Sequence, residues 1–158
     1  MSGANVVDHS ALRVNQAGIV ATVLVAFLGS FAGWPALVLI PLLAVVLLAG
    51  TFDPQRALFK QLYFMVLKPR GIVKPRVVAE SPEPHNFAQG MGGVVTAVAS
   101  VLIFLPLLTQ DFRPSPVEVI GLALALIVAV LAFVNLAFGY CVGCQIYFQL
   151  GKRGWIGA

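Results

Sequence analysis

The residues of this sequence best suited to chemistry are Cys141 and Cys144, the two cysteines of the chain. On a helix, their i, i+3 spacing would place both side chains on one face. Two such thiols can cycle between a dithiol and a disulfide, one can carry sulfane sulfur, and together they supply half of a zinc site. Free cysteines are also common packing residues in buried cores, so the spacing alone leaves these interpretations open.

Other polar residues are expected around the thiols, because two sequence segments should meet at the same membrane face. These supporting residues are Asn86, Gln89, Asn135, Tyr140, Gln145 and Tyr147. His9 and His85 could complete a Cys2His2 zinc site with Cys141 and Cys144, although nothing in the spacing requires it. A loop histidine is more commonly solvated, so no cofactor is predicted and zinc is kept as the minor alternative.

The position of the thiols along the chain gives a first expectation for their reactivity. If the last apolar helix continues past them, they lie toward its C-terminus, where the helix dipole disfavours a thiolate. Lys152, Arg153 or a basic loop would then have to compensate. Judged by depth in the membrane, Cys144 would be the attacking thiol and Cys141 the sheltered resolving thiol.

Composition places the chain among membrane proteins. Of its 158 residues, 59% are hydrophobic and only 10% are charged. A soluble globular domain has about 25% charged residues, so a soluble chain of this composition could not cover its own surface. We therefore predict an all-α integral membrane protein that forms a single domain over residues 1–158.

Apolar stretches along the chain predict four transmembrane helices. A hydrocarbon core of about 30 Å is crossed by roughly 20 helical residues. The uncharged stretch 17–52 is long enough for a helical hairpin that turns at Gly33, Trp34 and Pro35. The last apolar stretch exceeds one crossing, so its helix should project, tilt or break at Gly139 or Gly143. The predicted spans are 16–33, 35–52, 87–108 and 117–140, with room for the last helix to continue to 150.

The connecting segment 53–86 is basic, and its first part should lie on the membrane surface. Residues 54–67 combine apolar bulk with too little length to cross, which predicts an interfacial helix. The prolines that follow, up to the Ser81–His85 stretch, predict a segment without helix. The residues expected to contact anionic lipid headgroups are Arg56, Lys60, Lys68 and Arg70.

Basic residues also predict the orientation. Six of them lie in the 53–87 segment, whereas the 33–35 turn has none. The positive-inside rule then places this segment and both termini in the cytoplasm of a bacterial inner membrane. A basic balance can also indicate nucleic-acid binding, but no aromatic residues are interleaved with these charges in a folded module, so no nucleic-acid partner is predicted.

Two motifs give the chain a resemblance to a known family. The sequence N-F-A-Q-G begins at Asn86, and F-G-Y-C-V-G-C-Q-I-Y runs from Phe138 to Tyr147. Together they resemble an uncharacterised bacterial family of small four-helix membrane proteins, over roughly residues 6–150. The resemblance implies a fold without an activity. The resemblance also implies that thioredoxin-like and sulfurtransferase proteins are its partners.

The predicted function is a membrane thiol–disulfide or sulfur-relay protein that uses a cytoplasm-facing Cys141–Cys144 pair. One alternative is a non-catalytic subunit or scaffold of a larger membrane complex or homo-oligomer, docked through the small residues of the third span. Another is a small pore for a sulfur species. Proton-driven transport is disfavoured, because the middle of each span lacks an acidic residue.

Overall fold

The computed structural model describes residues 6–33, 35–53, 57–108 and 116–154. These residues are mostly helical, as the composition predicts, and they also contain two short strands. The elements are β1 Val6–Asp8, α1 His9–Phe31, a 3₁₀ turn Ala36–Val38 leading into α2 Leu39–Phe52, α3 Leu58–Leu62 continued by a π-helical turn Tyr63–Leu67, β2 Val77–Ala79, α4 Glu83–Leu108, α5 Pro116–Phe138 and α6 Val142–Lys152.

Three helices are long and apolar enough to cross a membrane, namely His9–Phe31, Glu83–Pro106 and Pro116–Phe138. The apolar helix Ala36–Phe52 is shorter. At 1.5 Å per residue it measures about 25 Å, against a hydrocarbon core of about 30 Å. The membrane class of the chain therefore rests on three helices, and the crossing by a fourth stays a prediction.

The helices α1, α2, α4 and α5 form a bundle in which α4 packs against both α2 and α5, and α1 packs against α5. Its core contains Val23, Ile40, Leu47, Ala99 and Ala125. Small residues allow α4 and α5 to approach closely: a Cβ atom at Gly121 would lie 2.8 Å from the carbonyl oxygen of Ala99. Close backbone approach is how membrane helices gain packing energy.

One end of the bundle carries a feature that the all-α prediction lacks. Strand β1 pairs antiparallel with β2, and Val7 lies opposite Val78. Both strands are rich in valine, which favours extended structure. The last residue of β1, Asp8, then caps α1 by accepting a hydrogen bond from the backbone N–H of Ser10 at 3.0 Å. Strand pairing thus fixes the residues just before α1 to the connecting segment.

Several helix boundaries differ from the predicted ones. Helix α1 starts at His9, so its first turns are polar. Helix α4 starts at Glu83, which makes the prediction of a helix-free Ser81–His85 stretch wrong. Pro84 falls in the first turn of α4, where its missing N–H has no partner to lose. The predicted surface helix is observed from Leu58 onward, and its positions 54–56 lie outside the described residues.

The fourth predicted span ends at a glycine. Helix α5 stops at Phe138, and Gly139 has φ 70°. That left-handed conformation suits glycine and terminates a helix. The chain then starts a new helix, α6, at Val142. The sequence allowed this stretch to break at Gly139 or Gly143, or to continue as one helix to 150. The structure shows the break at Gly139.

Candidate redox site at a helix N-terminus

Cys141 is the N-cap residue of α6. Its backbone is extended, with φ −97° and ψ 102°, and its Sγ accepts a hydrogen bond from the backbone N–H of Cys144 at 3.2 Å. Because α5 ends before the pair, the expectation that the thiols lie toward a helix C-terminus is wrong. A helix N-terminus stabilises negative charge, so this position favours the thiolate form of Cys141.

The two sulfur atoms are at disulfide distance, and their Cα atoms are 5.2 Å apart. That Cα separation lies in the usual range for a disulfide. Cys144 is buried, with 7% of its surface exposed, whereas Cys141 is half-buried. The exposures are thus opposite to the order expected from membrane depth, and Cys141 is the sulfur that a partner can reach more easily.

A chain of polar side chains leads from Cys144 to the protein surface. The Sγ atom of Cys144 lies 3.5 Å from Nδ1 of His85. The Nε2 atom of His85 lies 2.8 Å from Oε1 of Glu80, and Nε2 of His9 lies 2.8 Å from the same oxygen. Since an ionised carboxylate only accepts hydrogen bonds, Glu80 orients His85 so that Nδ1 faces the sulfur.

The fold holds His9 and Glu80 together through the backbone. His9 N–H donates to the carbonyl oxygen of Arg76 at 2.8 Å, and the Ser10 hydroxyl donates to the carbonyl oxygen of Lys74 at 2.7 Å. These bonds extend the β1–β2 pairing into the first turn of α1. As a result, Glu80, which follows β2, lies beside the first residue of α1.

The surroundings of Glu80 lower the pKa of its carboxyl group. Burial raises its pKa, but the hydrogen bonds from His85 and His9, together with their charges, outweigh burial and lower the pKa below 4.5. Glu80 is therefore an anion at neutral pH. Its carboxylate oxygen Oε1 can accept a hydrogen bond from each of the two imidazoles.

The start of α4 is fastened to α6 by aromatic and glycine contacts. The Tyr147 hydroxyl donates to Oε2 of Glu83 at 2.9 Å, and the Tyr147 ring lies 5.5 Å from that of Phe87. The hydrogen bond to Glu83, aided by burial, raises the pKa of Tyr147. A Cβ atom at Gly143 would lie 2.8 Å from Cα of Ala88, so the two helices touch at backbone distance.

The surface helix is tied to the same end of the molecule. Tyr63 is fully buried, and its hydroxyl donates to Oδ2 of Asp8 at 3.0 Å. Burial is the largest cause that raises the pKa of Tyr63, followed by the bond to Asp8. Asp8 thus connects α1 and the 63–67 turn, and through β1 it also connects the segment that carries Glu80.

Cys141 also borders a cavity of about 140 Å³ between the helices. Most of its lining is apolar, but four residues with amide side chains also line it, from three helices. They are Asn15 and Gln16 of α1, Gln89 of α4 and Asn135 of α5. Cys144 is not part of this lining. The two sulfurs of the pair therefore face different surroundings.

The supporting residues expected from the sequence are distributed around this site. Gln89 and Asn135 line the cavity, and Gln89 Nε2 also donates to the carbonyl oxygen of Leu47 at 3.1 Å. Tyr147 is buried against α4, as described. The others are placed as follows: Asn86 is half-buried one residue after His85, and Tyr140 and Gln145 are exposed beside the cysteines.

The residues expected at lipid headgroups lie on the surface segment. Lys68 and Arg70 are exposed, and the Lys68 ammonium lies 5.2 Å from the centre of the Phe64 ring. Lys60 is half-buried, and burial lowers its pKa. Arg56 lies outside the described residues. Contact between these two exposed cations and anionic headgroups stays a prediction.

The zinc ligands considered from the sequence fall into two groups. The ligand atoms of His85, Cys141 and Cys144 lie within 4.8 Å of one another, and those of His9, Glu80 and His85 do so separately. His9 therefore sits across Glu80 from the thiols and does not join them as a fourth ligand. If the pair is reduced, the first group offers three ligands of the kind that zinc prefers.

The sequence reasoning missed Glu80, Glu83 and Asn15. The valine runs at 6–7 and 77–78 were a signal for strand pairing, which would have brought Glu80 toward His9. Asn15 lies in the second turn of α1, just before the predicted span 16–33. No pattern in the sequence gives its direction relative to α5 and α6.

A helical bundle with spans suited to a membrane, carrying a Cys-x-x-Cys pair at a helix N-terminus, defines the class of protein. The chain belongs to the family described as "Domain of unknown function (DUF4395)", whose model matches residues 7–152. No curated protein and no solved structure matches the chain. The family gives no activity, so function has to be argued from the site.

Proposed function

We propose that this protein is a membrane thiol–disulfide exchange or sulfur-relay protein whose reacting atoms are the sulfurs of Cys141 and Cys144. The observation that carries the proposal is the placement of both sulfurs. Cys141 caps the N-terminus of α6, where a thiolate is favoured, and Cys144 lies 3.5 Å from a histidine nitrogen. Packing alone requires neither arrangement.

The exchange begins at Cys141. A partner thiolate attacks Cys141 Sγ, a sulfur–sulfur bond forms to the partner, and the Cys141–Cys144 bond breaks. The electron pair goes to Cys144 Sγ. His85, protonated and held by Glu80, gives its Nδ1 proton to this leaving thiolate. When a second partner thiol resolves the mixed disulfide, the protein is left as the dithiol and the partner as a disulfide.

The reverse direction uses the same groups. Neutral His85 accepts the Cys144 proton at Nδ1, and the resulting thiolate attacks a mixed disulfide at Cys141. Glu80 is anionic at neutral pH and stabilises the imidazolium that forms. In sulfur relay, the Cys141 thiolate would attack the outer sulfur of a partner persulfide, which forms a persulfide on Cys141 and releases the partner's thiolate. The partner in either case is a thioredoxin-like or sulfurtransferase protein.

A second candidate function is zinc binding by the reduced pair. Its support is the proximity of three ligand atoms, on His85, Cys141 and Cys144. The bond from His85 Nε2 to Glu80 is the carboxylate–histidine arrangement that commonly supports a metal-bound histidine. Three protein ligands leave a fourth position for water or a partner thiol. Oxidation to the disulfide would remove both sulfur ligands.

The setting of this activity is also proposed. Four spans, with α2 as the short one, would place the polar end and both termini in the cytoplasm of a bacterial inner membrane, following the basic residues. Lys68 and Arg70 would contact anionic lipids there. A scaffold role in a larger complex, or a pore for sulfur species, would not use the contact between Cys144 and His85.

The test is a redox titration of the full chain in lipid nanodiscs, read by mass-shift alkylation. We expect both thiols to titrate together as a two-electron couple. We also expect the reduced protein to contain much less than one zinc ion per chain. Stoichiometric zinc that is lost when Cys144 or His85 is replaced would favour the second candidate. Thiols that never cross-link under strong oxidation would leave packing as their role.

A further inference from the structure

The cavity beside Cys141 is lined by a mostly buried polar residue, Asn15. Asn15 is 3% exposed and lines the cavity. Among the described residues its amide makes no hydrogen bond, whereas the amide of Gln89 in the same lining donates to Leu47. Buried amides in native proteins are almost always hydrogen-bonded. No side-chain nitrogen or oxygen of the described residues is both fully buried and unpartnered, so the Asn15 amide is reachable from the cavity, and a ligand there can supply its hydrogen bond.

The size and lining of the cavity restrict that ligand. A volume of about 140 Å³ is close to that of an engineered protein cavity, about 150 Å³, that binds benzene. The space therefore suits one six-membered ring. Apolar walls match the ring faces, and the amides of Asn15, Gln16 and Asn135 can donate to oxygen atoms on it.

The cavity opens toward the outer surface of the bundle. Its lining includes Met91, Ile127 and Leu131, which are exposed on α4 and α5. Both helices are among those long and apolar enough to cross a membrane. Exposed apolar residues at this opening favour entry from the lipid phase. Sites between helices of a bundle are common places for small ligands.

From these observations we infer that the cavity binds the ring of a lipid-soluble quinone, which takes two electrons from the Cys141–Cys144 dithiol. The inference rests on the proposed thiol exchange, since it supplies the acceptor for electrons that a partner dithiol delivers. Cys141 is the sulfur in the cavity lining, and Cys144 lies behind it against His85.

The reaction balances with these two reactants. The Cys141 thiolate adds to a ring carbon and forms a carbon–sulfur bond. The Cys144 thiolate, whose proton has passed to His85, attacks Cys141 Sγ, so the disulfide forms as the carbon–sulfur bond breaks. The electron pair leaves with the ring. Two protons, equal in number to those lost by the thiols, are taken up at the ring oxygens and hydroquinone departs.

Two substitutions test the cavity without touching the thiols. Gly92 lines the cavity, and a Cβ atom there would have Val128 Cγ1 as its one neighbour within 4.0 Å, so Gly92→Leu should fill the cavity without a clash at Cβ. Asn15→Leu removes the amide at similar volume. Ala123→Leu, on the exposed face of α5, is the matched control for added bulk.

The experiment mixes reduced protein in nanodiscs with a short-chain benzoquinone and follows quinone absorbance and thiol alkylation. We expect one hydroquinone per disulfide formed. Asn15→Leu should slow the reaction roughly tenfold, as expected for one lost hydrogen bond, and Gly92→Leu at least as much. The control should react like the wild type. The wild type and the Ala123→Leu control should exchange thiols equally well with a soluble disulfide, and the two cavity variants should lose far less of this exchange than of quinone reduction.

The outcomes separate the two proposals. Wild-type protein that exchanges with the soluble disulfide but leaves the quinone unreduced would overturn the quinone inference and keep the exchange function. Failure of both reactions would remove the function and the inference together. Binding has its own measurement: a photoreactive azidoquinone should label the wild type and the Cys141→Ser, Cys144→Ser double variant, but not Gly92→Leu. Equal labelling of Gly92→Leu would contradict a ligand in this cavity.

Discussion

The surroundings of the two sulfurs differ in kind. Cys144 faces ionisable groups, with His85, Glu80 and His9 linked in sequence to the surface. Cys141 borders a cavity lined mostly by apolar and amide residues, and its sulfur lies within 4.8 Å of a His85 nitrogen. We therefore expect proton transfer to occur at Cys144, which contacts His85, and reaction partners to bind at Cys141.

The largest expected effect comes from replacing each sulfur in turn. Either Cys→Ser change should abolish the redox couple. Cys144→Ser should still trap a mixed disulfide with a thioredoxin-like partner, because the Cys141 thiolate can attack a partner disulfide and no Cys144 thiol remains to release it. Cys141→Ser should trap little. Non-reducing gels and mass spectrometry of protein from native membranes measure this. Stronger trapping by Cys141→Ser would reverse the assignment of the two sulfurs.

His85 should matter far more than its neighbour across Glu80. Removing a general acid or base commonly costs 10²–10⁴-fold in rate, so we expect His85→Ala to slow exchange by about 10²-fold. His9→Ala keeps the bond between Glu80 and His85 and serves as the control, with a small effect. The measurement is the exchange rate with a soluble disulfide from pH 5 to 9. Equal losses in both variants would indicate that the cluster acts only through folding.

Gly139 tests whether the helix break itself positions the pair. Its φ is 70°, so Gly139→Ala should cost about 1–2 kcal/mol of stability through left-handed strain. Gly33 has φ 77° at the turn after α1, which makes Gly33→Ala a control with the same strain far from the thiols. Denaturation in detergent should show similar losses for both, and only Gly139→Ala should also slow exchange. Unchanged exchange would show that the cap position of Cys141 is dispensable.

The smallest expected effect is a loss of stability in acid. The pKa of Glu80 is lowered in the folded protein, so the stability it contributes is present above its ordinary pKa of 4.5 and is lost as the pH falls through the lowered value. Thermal unfolding between pH 7 and pH 3 should show this component, and Glu80→Gln should remove it. Glu118→Gln at the start of α5 is the control and should leave the difference in place. A Glu80→Gln profile parallel to the wild type would argue against the bonds to His85 and His9.

Composition and hydropathy predicted the helical membrane class, because these properties depend on counts along the chain. The predicted membrane topology also indicated that the start of α4 meets the cysteine segment, and the close approach of Gly143 to Ala88 agrees with that contact. The helix break was considered from length alone. The effect of this break on the charge of the thiols was not predicted, because it depends on where α6 begins. With the break at Gly139, Cys141 lies at the N-terminus of a helix, where a thiolate is stabilised, and no longer near a helix C-terminus.

The proton path could not be predicted from local patterns. His9 and Glu80 are 71 residues apart, and His85 and Cys144 are 59 apart. Both contacts follow from tertiary pairing of short strands and helix ends that have weak sequence signals. The cavity and its Asn15 depend on helix rotation, which hydropathy does not specify.

The pairing of β1 with β2 has a consequence for how the protein is made. His9 leaves the ribosome before Glu80 and His85, and the two cysteines follow after them. The strand pair can fasten the early residues to the connecting segment before α4 and α5 are inserted. The thiols would then be synthesised after the His9–Glu80–His85 cluster has formed. Newly made chains would therefore spend little time with two free thiols that lack their contact to His85.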